Sequence, residues 1–148
     1  MNNINLHILN ALSEFTEFQT KSIKEETFSA FNAIHQFLPQ TNLDIVFTHA
    51  PRATIPEEHI GGRSTSASHL FVYLDTTYPG FDRVIKEELK KTLAHEYHHA
   101  CRWKTVGYGH TLGEALITEG LADHFTQEVF KCEIPRWSAA LSQSDLKR

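Results

Sequence analysis

The chain is poor in cysteine, in positive charge and in long apolar runs, and each shortage excludes something. Two cysteines in 148 residues, Cys101 and Cys132, cannot build a disulfide scaffold, and free thiols are the expectation in a reducing compartment. Lysine and arginine number 14 against 18 aspartates and glutamates, a formal charge of -4. The basic excess that draws proteins to phosphate backbones is missing, so no nucleic-acid partner is expected. No segment reaches the roughly 20 apolar residues of a membrane-spanning helix, and Met1 to Leu12 has neither the basic cluster nor the apolar stretch of a secretory signal. The reading is a cytoplasmic protein with no membrane partner, its oligomeric state open.

What is present is ordinary globular material, 41% hydrophobic and 22% charged, of a length that suits one domain. From Ile4 to Leu38, Ile8, Leu12, Phe15, Phe28, Phe31, Ile34 and Phe37 or Leu38 recur at helical spacing, which predicts one bent helix or two consecutive ones. Leu43 to Thr48 is rich in β-formers and reads as a strand. Pro51 to Ser68, with its prolines, glycines and hydroxyl residues, reads as a long loop in which Gly61, Gly62 and Arg63 shape a turn. The alternation in His69 to Leu74 predicts a second strand with both faces partly covered.

Two helices should follow. Ile85, Leu89, Leu93, Tyr97 and Ala100 make an apolar stripe between Phe81 and about Thr105. Thr111 and Glu114 match a capping box, opening a helix whose buried face is read as Ile117, Leu121, Phe125 and Val129. Gly120 is read as a point of close helix approach. A short tail holding Trp137 and Leu141 begins at Pro135.

Residues 95 to 99 read HEYHH, an HExxH motif within the first of these helices. Four residues is slightly more than one turn, so His95 and His99 project from the same face and can close on one ion. Glu96 lies about 100° further round, placed to reach a water on that ion without binding the ion itself. With ten histidines in the chain, an accidental HExxH arises in about 6% of shuffles, so the motif alone is only suggestive. A zinc hydrolase needs a third protein ligand and an open fourth position. Glu119, 20 residues after His99, supplies the ligand, and Asp123 one turn on can accept a hydrogen bond from the far ring nitrogen of a ligand histidine. Two imidazoles and one carboxylate suit Zn2+. In this reading the metal activates a water, Glu96 takes its proton as general base, and the same carboxyl later protonates the leaving amine.

HEYHH followed by EGLAD at 119 to 123 resembles the gluzincin metallopeptidases, and the longer run from TLAHEYHHACRW to TLGEALITEGLADHF is most similar to the YjaZ-like zinc-dependent proteases of bacteria, over roughly residues 60 to 130. The resemblance implies His95, His99 and Glu119 as zinc ligands, Glu96 as base and acid, Asp123 as the partner of a ligand, and a strand beside the cleft that pairs with extended substrate, best matched by His69 to Leu74. The chain lacks the large carboxy-terminal domain of thermolysin-type enzymes, which supplies a histidine to the transition state. Tyr108 and His110, between the motif helices, are the candidate replacements, with loop packing and helix capping as their plainer roles.

Other residues have blander readings. His98 and His124 lie off the ligand stripe, Arg102 reads as a solvated residue near a helix end, and Cys132 as a small buried thiol. The expected fold is α+β: one zincin-like domain over 1–148, with a helical part at 1–40, a catalytic core at about 41–130 and a tail at 131–148. A short sheet packs against the motif helices. The expected function is a zinc metallopeptidase acting on a peptide or protein substrate. The alternatives are a metal-binding regulatory or interaction domain with weak or no catalysis, and a hydrolase of a small amide.

Overall fold

Ile4, Leu6 and Ile8 alternate with Asn5 and His7, and in the computed structural model, which describes residues 4–133 and 135, they form strand β1 (Ile4–Ile8). The helical reading of the amino terminus therefore starts too early. Five residues of period two were masked by the helical spacing around them, and pairing with a distant segment decides the matter: Ile4 to Ile8 lie parallel to Leu43 to Phe47. A parallel pair needs a crossover, and helix α1 (Glu17–Ile34) provides it. Its start is fixed by Thr16 and Gln19, each side chain satisfying the other's backbone amide. Ile23, Thr27, Ala30, Phe31 and Ile34 are its buried face, whereas Leu12, Phe28 and Phe37 are exposed.

Strand β2 (Leu43–His49) leads through a 3-10 turn at Pro51–Ala53 to β3 (Ile60–Ser66), which pairs antiparallel with β4 (His69–Leu74). The sheet order is β1-β2-β4-β3, with β2 parallel to β4. The long loop expected over Pro51 to Ser68 thus holds a strand of seven residues. Gly61, Gly62, Arg63 and Ser64 carry no apolar alternation because this strand's inner face meets a polar site rather than the core. One sheet face, with Leu43, Ile45, Phe47, Ile60, Leu70, Val72 and Leu74, is buried against the helices. On the other face Phe71 and Tyr73 are only half-buried.

After β4 the chain turns into α2 (Phe81–Arg83), one π-helical turn at Val84–Glu88, closed by the Leu89 amide on the Val84 carbonyl, and then α3 (Leu89–Trp103). Ile85, Leu89, Leu93, Tyr97 and Ala100 are all buried. The Tyr97 hydroxyl donates to the Pro39 carbonyl at 2.7 Å, tying α3 to the connection between α1 and β2. Helix α4 (Leu112–Phe130) begins at the Thr111–Glu114 capping box and stops at Lys131, which takes the left-handed conformation.

The buried face of α4 differs from the one expected. Ile117 and Leu121 are 61% and 42% exposed, while Thr118, Ala122, Asp123, Phe125 and Thr126 are buried. The helix is turned so that Glu119 and Asp123 face the histidines of α3, at the expense of two large apolar side chains. Gly120 is correspondingly exposed, with nothing within 4 Å of a Cβ built on it, and so sits away from the helix contact. Trp137 and Leu141 lie outside the described residues. No helix among those residues is long and apolar enough to cross a membrane.

Candidate metal centre

The helical stacking of His95 over His99 puts their Nε2 atoms 3.0 Å apart, and α4 brings Glu119 Oε2 to 2.9 Å from the first and 3.4 Å from the second. These three are the one such group among the described residues whose side-chain atoms could hold a metal. Ligand atoms about 2.0 to 2.1 Å from a tetrahedral zinc lie about 3.3 Å from one another, so the observed separations suit the ion without rearrangement of the helices. The chemistry agrees. His95 Nδ1 is 3.0 Å from Asp123 Oδ1. A neutral ring that donates from Nδ1 turns the bare lone pair of Nε2 towards the Glu119 carboxylate, an arrangement that calls for a proton or a cation between them.

With no ion, a proton fills that role. Burial penalises the charged His95 ring, but hydrogen bonds to Asp123 and Glu119 and the nearby Glu96 charge overcome this and push it up to about 10. Burial would raise the Glu119 carboxyl, yet the bonds to His95, His99 and Tyr108 pull it well below the usual carboxylate range. His99 is 5% exposed and its Nδ1, also buried, has no hydrogen-bond partner among the described residues.

Glu96 stays outside the ligand triangle. It is 8% exposed, and burial raises its carboxyl against the pull of His95 and His99. The Ser64 backbone amide donates to its Oε2 at 2.7 Å. Such close approach of β3 requires Gly62, because a Cβ there would lie 2.5 Å from Glu96 Cγ and 2.8 Å from Thr92 Cγ2. Neither Ser64 nor Gly62 stood out in the sequence. One contributes a main-chain group that any residue has, and the other the lack of a side chain; the Gly61–Gly62 pair was the only visible trace.

Tyr108 reaches the cluster from the loop between α3 and α4. Its hydroxyl donates to Glu119 Oε1, its ring centroid is 5.5 Å from that of His99, and the hydrogen bond to Glu119 pushes the phenol up to about 12. His110 does not join it. Its side chain is exposed and its amide donates to Glu114 Oε2 as part of the α4 cap. His98 is half-buried against Phe125, where burial lowers it to about 4, and His124 is exposed. Arg102 is less solvated than expected: its Nη2 donates to Thr118 Oγ1 at 3.4 Å, and its buried Nε has no partner among the described residues.

The centre opens into a cleft of about 1290 Å³. Gly61 and Gly62 line one side, Thr92, His95 and Glu96 the floor, and the residues after α4, including Cys132 and Pro135, another side. Both cysteines are free thiols, and Cys132 is half-buried. The strand at this border is β3, not β4. Strand β4 is paired on both edges, by β2 and β3, so the strand chosen from the sequence has no edge to offer. On β3 the Ile60 carbonyl already accepts from Ile55 and the Ser64 amide serves Glu96. By the alternation of a strand, Gly62 turns its own amide and carbonyl to the same outer edge.

Among known proteins, the model of a family described as "Predicted Zn-dependent protease (DUF2268)" matches residues 23–148. The match takes in most of α1 and the tail, a wider span than residues 60 to 130. No curated protein and no solved structure matches the chain.

Proposed function

The chain belongs to this family of predicted Zn-dependent proteases, and from that premise we propose that it is a gluzincin-type metallopeptidase, of the YjaZ-like kind, that hydrolyses peptide bonds in an extended substrate. The observation that carries the reading is the convergence of His95 Nε2, His99 Nε2 and Glu119 Oε2, with a buried carboxylate, Glu96, beside them. Those three residues would hold the Zn2+. A bound zinc supplies Lewis-acid polarisation of a carbonyl oxygen and lowers the pKa of water towards neutrality.

The chain's own groups do the rest. Glu96, its Oε2 held by the Ser64 amide, takes a proton from the attacking water and returns it to the departing amine. Its burial in the cleft wall keeps bulk solvent from competing for that proton. Asp123 holds the His95 ring in the tautomer whose Nε2 faces the ligand cluster. The outer edge of β3 at Gly62 aligns the substrate main chain by strand pairing, which gives grip without demanding a particular side chain.

The test is Glu96→Gln, which keeps size and hydrogen bonding but removes the base. Peptide cleavage should fall by at least about 100-fold, with zinc content of the purified protein unchanged. Cleavage at the wild-type rate would sink the proposal. An intact biological activity without any cleavage would point instead to a metal-dependent interaction domain.

A further inference from the structure

Tyr108 is gripped at both ends by consecutive residues of α4. Its backbone carbonyl accepts from Thr118 Oγ1 at 2.9 Å and its hydroxyl donates to Glu119 Oε1. Thr118 is 1% exposed and is met from behind by Arg102. The loop can fold back this far because both neighbours of Tyr108, Gly107 and Gly109, take positive φ, 69° and 104°. A structure that only needed a short connection between two helices has no use for a buried hydroxyl pinning the one tyrosine carbonyl in it.

We propose that Tyr108 is a positioning residue for the third ligand, holding Glu119 Oε1 so that Oε2 alone faces the two imidazoles, and that Thr118 holds Tyr108 for this task. This rests on the metal-site part of the proposed function and not on the identity of the substrate. The separation of the two carboxylate oxygens is already on the page: Oε2 approaches His95 and His99, and Oε1 has the phenol. A carboxylate free to rotate can offer either oxygen or both, and offering both would use the position that a hydrolytic site keeps open. A phenol has one proton to give. While it is given to Glu119, Tyr108 does not donate to a substrate oxygen, so the role differs from the transition-state donor considered for this residue and His110.

The experiment reads zinc affinity by competition with a chelator of known affinity and, separately, kcat at saturating zinc. Tyr108→Phe keeps the ring and loses the hydroxyl. It should weaken zinc binding by about 10- to 100-fold, the usual effect of removing a group that orients a ligand. Thr118→Val should weaken zinc in the same direction and Thr118→Ser restore it. The Tyr108→Phe/Thr118→Val double variant should be no weaker than Tyr108→Phe alone, since both act through one hydroxyl. Unchanged zinc affinity in Tyr108→Phe overturns the proposal, and a loss of kcat with zinc retained would place the tyrosine on the substrate. A wild type that binds zinc but cleaves no peptide refutes the peptidase reading while leaving this test decisive.

Discussion

His95 holds a strongly biased charge state, and its bias has a definite pH signature. In the metal-free chain its folded pKa, about 10, exceeds the unfolded value near 6.5. The folded state therefore holds the proton more tightly, and the stabilisation is complete below about pH 6.5 and fades as pH rises towards 10. Denaturant midpoints measured in chelator at pH 6 and pH 9.5 should fall more steeply for the wild type than for His95→Gln. Equal slopes would mean that the Asp123 and Glu119 contacts do not hold that proton. Residues of this kind were legible, because helix periodicity alone puts positions 95 and 99 on one side and positions 119 and 123 on another. Ser64, Gly62 and Thr118 were not, since a main-chain amide, a missing side chain and a common hydroxyl have no pattern of their own.

Among the elements, legibility followed the range of the interactions that define each one. Strand β4 was read to the residue and α4 began at the capping box foreseen for it, both from local signals. Strand β1 was missed because its pairing partner lies far along the chain, and β3 because Gly61, Gly62, Ser64 and Ser66 have little strand propensity. The turn of α4 about its axis was missed for a related reason: amphipathicity reports the apolar stripe, and here the polar pair Glu119 and Asp123 sets the orientation. The fit of β3 against α3 is the element-level feature most open to test. Gly62→Ala would push a methyl group into Glu96 and Thr92. We expect a stability loss of about 1 to 3 kcal/mol by denaturant titration, and a fall in peptide cleavage of at least tenfold with zinc affinity kept. A variant as active as the wild type would show that β3 can withdraw without consequence.

At the scale of the whole molecule, the centre staples the two motif helices, which also meet where His98 packs on Phe125 and Arg102 donates to Thr118. Zinc should accordingly stabilise the entire chain. At a free concentration 100 times Kd the gain is about 2.7 kcal/mol, visible as a raised Tm in the wild type and missing in Glu119→Ala. Equal shifts in both proteins would mean that the ion binds elsewhere.

The wide turn at Val84–Glu88 bears on how related chains should compare. In a regular α-helix five residues advance about 500°, leaving Val84 and Leu89 about 140° out of phase. The π-helical closure brings them back into step, and both are buried. It thus acts as a one-residue phase correction upstream of the histidines. A homologue without it would align here with a single-position gap and have to bury a different neighbour in place of Phe81, while its metal-binding helix kept the same setting.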